Sequence, residues 1–191
     1  MNIQIIEPWV GENYENPRIL PYRTLIVGES NYTDNPNQFT PHIVINCVGD
    51  DLTGDDPSGF GRFATKLRRI IFGVEHDMGP ACFWPHVAFY NFVQYLVGDA
   101  ARQRPTQEMW RASVPAFGQV IEKLNPERIL VLGLENWRNL LQSVPHQMVS
   151  EYQAKIDVGN KVILAGYVFH PSSSLKYSDW NPIAQELLLK K

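Results

Sequence analysis

Polar residues that could do chemistry follow three short apolar runs of this sequence. One β-branched run ends in residues 170–174, His-Pro-Ser-Ser-Ser, which combine an imidazole, a proline that stiffens the turn, and three hydroxyls. Residues 28–32, Gly-Glu-Ser-Asn-Tyr, follow a second run, and Asn91 stands near the end of a third. Ligands of open α/β sheets bind just beyond the carboxyl ends of the strands. The clusters therefore predict an anion or base site, although a solvated serine-rich loop is the simpler interpretation of the first.

A sheet must position these clusters, and five apolar runs have the composition of strands. They are residues 24–28, 87–92, 128–133, 152–158 and 161–169. The first three are continuously apolar, which is typical of parallel strands buried on both faces. The dipeptide Gly159-Asn160 is a turn signal and predicts that the last two form a hairpin or a closely spaced pair.

Amphipathic segments alternate with these runs. We predict helices at 61–72, from Thr106 as N-cap to about Leu124, at 136–142, and from Asn181-Pro182 onward. Proline at position 115 predicts a kink or a break in the second helix. The alternation predicts an α/β fold with three layers, α/β/α, around a central, mainly parallel sheet.

The remaining segments are expected to be irregular. Residues 1–22 carry three prolines and are interpreted as an irregular lead-in that packs on the domain. Residues 34–59 form a long connection, and loops of this length in compact domains are usually functional or mobile. Within it, the weak alternation of residues 42–48 could form an edge strand.

Composition excludes several classes of protein. The chain has 191 residues, of which 44% are hydrophobic and 12% aromatic, as is usual for one globular domain. No run reaches the roughly 18 apolar residues of a membrane helix. The first residues lack the basic and apolar regions of a signal peptide. We therefore expect a single domain over residues 1–191, monomeric and cytoplasmic, with no membrane contact.

The two cysteines do not predict a metal centre. Cys47 and Cys82 lie far apart and lack the paired spacing of zinc and iron–sulfur sites. In a reducing compartment we expect both thiols to be reduced and partly buried. No metal or other cofactor is expected.

One helix offers a local basic face in a chain whose net charge is −3. Arg62, Lys66 and Arg69 share a side of the predicted helix, and Arg102 and Arg104 could extend that side. Binding of phosphates depends on where the charge lies, so the net charge does not exclude nucleic acid. A solvated helix face is the alternative.

The order and spacing of these motifs resemble the uracil-DNA glycosylase superfamily over residues 24–189, most closely the branch that often carries an iron–sulfur cluster. The stretch 25–32, LIVGESNY, stands where that branch has a strand followed by G-E-A-P-G. The stretch 59–67, GFGRFATKL, is similar to its P-F-x-G-R-x-G-x-L helix start, and residues 170–172 match its closing H-P-S motif. The longest match contains Asn91, Arg104-Pro105-Thr106, Glu108, Pro126 and Leu132-Gly133.

The resemblance implies removal of uracil or another deaminated base from DNA, with the nucleotide flipped out of the stack. An amide both donates and accepts and so can read a base edge, while an imidazole can stabilise the departing anion. A carboxylate can stabilise the cationic sugar or position water. By resemblance, the catalytic residues are Glu29 and His170, the base contacts are Tyr32, Asn91 and Phe60 or alternatively Phe63, and the DNA phosphate contacts are Ser172, Ser173, Arg62 and Lys66.

Departures from the family pattern leave the function open. Ser30 stands where many active relatives have Asp or Asn, Asn31 replaces the usual proline, and the cluster cysteines are absent. Taken alone, Asn91 could cap a strand end, and Glu29 could be an ordinary surface or ion-paired carboxylate. Three functions remain: a glycosylase, a catalytically weak or inactive relative that binds nucleotide or nucleic acid in the same pocket, and a hydrolase of another small substrate. The expected partner is DNA, single- or double-stranded, or a free base or nucleotide.

Overall fold

A computed structural model describes residues 6–33, 35–55, 59–98, 103–158 and 160–190. Across these ranges it contains nine β-strands and six α-helices. The strands are β1 (Trp9–Val10), β2 (Thr24–Gly28), β3 (Asn31–Tyr32), β4 (Ala88–Asn91), β5 (Leu96–Gly98), β6 (Arg128–Leu132), β7 (His146–Met148), β8 (Gln153–Val158) and β9 (Lys161–Val168). The helices are α1 (Ile43–Thr53), α2 (Phe60–Phe72), α3 (Pro80–Phe83), α4 (Gln107–Leu124), α5 (Leu134–Ser143) and α6 (Tyr177–Leu188).

The central sheet has seven strands in the order β1-β4-β2-β6-β9-β8-β7. The four strands β4, β2, β6 and β9 are parallel, whereas β1, β8 and β7 pair antiparallel at the two sides. The prediction of an α/β fold with a mainly parallel sheet is therefore confirmed, and the sheet is mixed. All five residues of β2 are buried, as its continuous apolarity predicted.

Helices cover both faces of the sheet. Phe89 of β4 contacts Phe63 of α2, with ring centroids 6.0 Å apart. The Gly166 backbone of β9, on the same face by strand register, lies against Leu187 of α6. On the opposite face Tyr167 stacks on Trp137 of α5 at 5.6 Å. This arrangement is compatible with three layers of helix, sheet and helix.

The expected edge strand at residues 42–48 is wrong, because this segment belongs to α1. Val44, Val48 and Asp51 are buried, and their spacing of four and three residues places them on one side of a helix. Gly54, with φ of 80°, ends the helix in the left-handed region.

Of two proline-based expectations, the start of α6 is corrected, and the break considered at Pro115 does not occur. α6 begins at Tyr177, before Asn181, so that Pro182 lies inside the helix. The earlier start buries Trp180 against Phe169, at 4.2 Å, which offsets the hydrogen bond that Pro182 cannot make. α4 continues past Pro115, and Thr106 caps it by accepting from the Met109 amide, as predicted.

Two further outcomes concern the lead-in and the hairpin. Residues 9–10 of the lead-in join the sheet as β1 instead of staying irregular. β8 and β9 pair antiparallel as expected, while Gly159 of the predicted turn lies outside the described residues. Cys82 is exposed, in contrast to the partial burial expected for it, and Cys47 is half-buried.

Candidate functional site

The carboxyl ends of β2, β4, β6 and β9 lie along one edge of the sheet, where the predicted clusters meet. β2 and β4 are paired up to Gly28 and Asn91. β6 and β9 are paired up to Leu132 and Val168, and His170 follows two residues later. The parallel register alone therefore brings three clusters from distant parts of the chain to one edge.

The Asn91 side chain lies directly over the Gly28 backbone. A Cβ on residue 28 would collide with Oδ1 of Asn91 and would lie 3.2 Å from the Phe89 ring, so this close approach requires glycine. Nδ2 of Asn91 donates to Oδ1 of Asn31 at 2.8 Å. Gln94 donates to the Asn91 carbonyl at 2.8 Å. The first of these contacts orients the side-chain amide at the end of β4, and the second holds the backbone there.

Aromatic rings connect Asn91 to His170 on the α2 side of the sheet. The Phe63 ring lies 5.5 Å from the His170 imidazole and 6.0 Å from the Phe89 ring. Phe60 stacks on Trp84 at 5.9 Å and lies 5.2 Å from Phe63. Of the two phenylalanines considered for stacking, Phe63 is thus the one beside the imidazole.

The His170 imidazole is half-buried and held by the loop that follows it. The Ser172 amide donates to Nδ1 of His170 at 3.2 Å, and the Ser173 amide donates to the His170 carbonyl at 2.8 Å. Burial and, to a smaller extent, the charge of Arg104 lower the pKa of His170 to about 4. Since Nδ1 accepts a hydrogen bond, the neutral ring carries its proton on Nε2.

Glu29 belongs to a second group of contacts. Nη1 of Arg104 lies 3.1 Å from Oε1 and 3.0 Å from Oε2 of Glu29, and 3.4 Å from Oε2 of Glu135 in α5. Burial raises the pKa of the Glu29 carboxyl, Arg104 lowers it, and Glu135 raises it again, with a net shift upward. The carboxylate is almost completely buried and depends on one arginine for its charge.

The Tyr32 phenol also belongs to this second group of contacts. Ser30 donates to the Tyr32 hydroxyl at 2.8 Å, and that hydroxyl donates to the Gln103 carbonyl at 2.8 Å and lies 3.4 Å from Oε1 of Glu29. A phenol has one proton to donate, so the shorter contact to Gln103 takes it. Burial raises the pKa of Tyr32 above its ordinary value, and the phenol is neutral.

The predicted residues therefore form two groups at one edge. Asn91, His170 and the phenylalanines lie on the α2 side. Glu29 pairs with Arg104, which also contacts Glu135 in the first turn of α5, and Tyr32 donates to the Gln103 carbonyl. Adjacent residues of an extended chain point to opposite faces, which separates Glu29 from Gly28. The Arg104 charge, which acts on both Glu29 and His170, links the groups.

The predicted phosphate contacts are accessible to different degrees. Ser172, Ser173 and Arg62 are exposed, and Lys66 is half-buried. Arg69 pairs with Asp77 at 3.4 Å, so its charge is offset, whereas the helix pattern predicted either a phosphate-facing or a solvated cation. Arg102 lies outside the described residues.

Sequence reasoning missed three partners in the site. Arg104 was considered as a surface cation rather than as the partner of Glu29, and Glu135 and the Asn31–Asn91 hydrogen bond were not anticipated. The residue types indicated that such partners would exist. A buried carboxylate needs a cation, and Asn31 is an amide at a motif position that can pair with another amide. Nothing in linear spacing pairs residues 29 and 104.

Three further observations concern metal sites, membrane spans and known relatives. Across the described ranges no group of three or more His, Cys, Asp or Glu side chains could hold a metal ion. No helix in the same part of the chain is long and apolar enough to cross a membrane. Neither a protein-family model nor a curated protein matches the sequence.

Proposed function

We propose that this chain is a DNA glycosylase of the uracil-DNA glycosylase type, which hydrolyses the bond between deoxyribose and uracil or another deaminated base. One observation carries the proposal: an amide, Asn91, and a neutral imidazole, His170, lie on the same side of the sheet with Phe63 beside the imidazole. Excision of a flipped base requires a group that hydrogen-bonds the base edge, a group that stabilises the leaving anion, and an aromatic surface for stacking.

In the proposed reaction water adds to C1′ of the deoxyribose and releases a proton to solvent as the glycosidic bond breaks. The electron pair of that bond leaves with the base, which departs as an anion and takes a proton from solvent afterwards. Because Nδ1 of His170 accepts from Ser172, Nε2–H is the donor available to the base oxygen where charge develops. Glu29 pairs with Arg104, and this step requires no charge on its carboxylate.

A second candidate is a relative that binds a nucleotide or nucleic acid without turnover. The Glu29 carboxylate is already paired with Arg104, and the Ser30 hydroxyl is already used by Tyr32. Neither residue therefore offers an unpaired polar group where many active relatives have Asp or Asn. This occupancy favours binding without catalysis.

A strand-nicking assay tests the proposal. Oligonucleotides that carry uracil, hypoxanthine or xanthine are incubated with the protein, and abasic sites are cleaved with alkali. We expect nicking of at least one substrate, with His170→Ala lowering the rate by about a hundred- to a thousand-fold. His146→Ala, which removes an exposed histidine of β7, is the matched control and should leave the rate unchanged.

Asn91→Ala separates recognition from chemistry. We expect it to remove the preference for one base over another because the amide reads the base edge. If the wild-type protein nicks none of the three substrates but binds the free base, the glycosylase proposal fails and the binding candidate stands. If it neither nicks nor binds, both fail.

A further inference from the structure

Arg104 holds two carboxylates with a single nitrogen. All the ion pairs described for it use Nη1, which contacts both oxygens of Glu29 and Oε2 of Glu135. The Glu29 side chain is 8% exposed, whereas that of Arg104 is 62% exposed. The guanidinium therefore has one side on a buried carboxylate and another in solvent.

The outer edge of this guanidinium is the part that a ligand can reach. Within the described part of the chain, Nε and Nη2 of Arg104 have no hydrogen bond or ion pair. These two groups form the planar fork that binds two oxygens of a phosphate at once. Arg104 pairs with Glu29, which follows Gly28 at the end of β2, so the fork belongs to the same edge as the proposed base site.

The protonation of Glu29 depends on how strongly the positive charge of Arg104 acts on its carboxyl group. Burial raises the pKa of the Glu29 carboxyl, Arg104 opposes this, and Glu135 reinforces it. A phosphate on the outer fork would offset part of the arginine charge and bring a second anion close to the carboxylate. Both effects raise the pKa of Glu29 further.

We propose that Arg104 binds a phosphate of nucleic acid through Nε and Nη2, and that this binding promotes protonation of Glu29. The inference rests on the proposed function for the identity of its ligand, though not for any chemical step. Linkage makes the effect reciprocal, so phosphate binds more tightly when Glu29 is protonated.

The other groups that face Glu29 do not titrate near neutral pH in a way that would imitate this effect. The pKa of Tyr32 is raised above its ordinary value, and that of Arg104 is raised by the two glutamates. The pKa of His170 is about 4, so the ring stays neutral. Glu135 is the remaining carboxylate, and its substitution serves as a control.

The test measures binding of a labelled deoxythymidine oligomer about ten nucleotides long, a typical span for single-strand binding. For the wild-type protein we expect the affinity to rise as the pH is lowered from about 8 to about 5 at fixed salt. Glu29→Gln should bind at the higher pH as tightly as the wild type does at the lower, and its affinity should not change with pH.

Arg104→Gln should weaken binding about tenfold, remove the pH dependence, and lower the salt slope by about 0.7, the value for one phosphate contact on a single strand. Arg104→Lys keeps the charge but lacks the fork, so it should fall between wild type and Arg104→Gln. Glu135→Gln should bind more tightly at every pH and keep the pH dependence of binding that Glu29 causes. Lys123→Gln, at the other end of α4 and about 25 Å away along the helix, is the matched cation control.

Arms with inorganic phosphate and with deoxyuridine monophosphate distinguish the source of the phosphate. Binding of either that depends on Arg104 indicates a free phosphate or nucleotide, and dependence seen with the oligomer alone indicates a strand. Wild-type affinity in both Arg104 variants, a pH dependence unchanged in Glu29→Gln, or no binding of any phosphate probe overturns the inference. Nicking is measured separately, so binding with the expected dependence but no nicking removes the glycosylase proposal alone.

Discussion

The imidazole of His170 is held in one tautomer by the loop that it begins. The Ser172 amide donates to Nδ1, and the neighbouring Gly133 has a φ of 98°, which favours glycine at that position. Burial then keeps the ring neutral by lowering its pKa to about 4. The neutral ring keeps its proton on Nε2, where it can donate to a developing anion. This suits the role proposed for His170.

The same pKa shift predicts how stability depends on pH. The pKa of His170 is lower in the folded protein than in the unfolded chain, so the unfolded chain gains a proton first as the pH falls. The free energy of unfolding should therefore decrease as the pH falls from about 6.5 to about 4, by at most about 3 kcal/mol and by less because the ring is partly exposed. His170→Gln is neutral throughout and should lack this component. Urea unfolding of both proteins across that range measures the difference, and parallel curves would contradict it.

At the scale of elements, a buried ion-pair network joins α1, α2 and the segment before β4. Arg68 of α2 contacts Asp51 of α1 at 3.3 Å and Asp77 at 2.8 Å. The Trp84 indole donates to the same Asp51 carboxylate at 2.7 Å. Trp84 in turn stacks on Phe60. The network thus fixes the layer that supports the phenylalanines of the candidate site.

Removing one partner of this network should be strongly destabilising. Asp51→Ala leaves the Arg68 guanidinium buried without one of its carboxylates, and we expect the free energy of unfolding to fall by about 3–5 kcal/mol. Chemical denaturation monitored by tryptophan fluorescence measures it. The double variant Asp51→Leu with Arg68→Met removes both charges and should be more stable than Asp51→Ala. A loss below about 1 kcal/mol, the range of exposed pairs, would show that the network contributes little.

At the scale of the whole molecule, the net charge of −3 leaves nucleic-acid binding to a local cluster of cations. Arg62 is exposed on α2, the helix that carries Phe63, and Lys66 follows one turn later. Phosphate contacts carry no sequence information. Binding through this helix should therefore be equally strong for different sequences.

Neutralising both cations tests this distribution of charge. Arg62→Gln with Lys66→Gln should weaken oligonucleotide binding by a similar factor for every sequence and lower the salt slope by about 1.4, or about 0.7 for each contact on a single strand. The control Lys155→Gln removes an exposed cation of β8, a strand near the opposite edge of the sheet from β4. Unchanged binding in the double variant would assign the contact to another surface.

Local patterns were sufficient to predict most elements of this fold. β2, β4, β6 and the β8–β9 pair lie where their apolar runs predicted, because a strand buried on both faces needs an uninterrupted apolar sequence. α2 and α4 were predicted from apolar spacing and from the Thr106 cap. α1 and the start of α6 were not, because burial of Val44, Val48 and Trp180 by distant elements decides them.

The sequence by itself determined that polar residues would stand at the ends of β2, β4 and β9, since strand length and strand end are local properties. Only the tertiary structure decided which of them meet. Parallel pairing places Asn91 over Gly28, and the packing of α2 brings Phe63 to His170. The pairing of Glu29 with Arg104 joins residues that are 75 positions apart. A buried carboxylate must find a cation, but the fold, and not the spacing of residues, determines which cation is within reach.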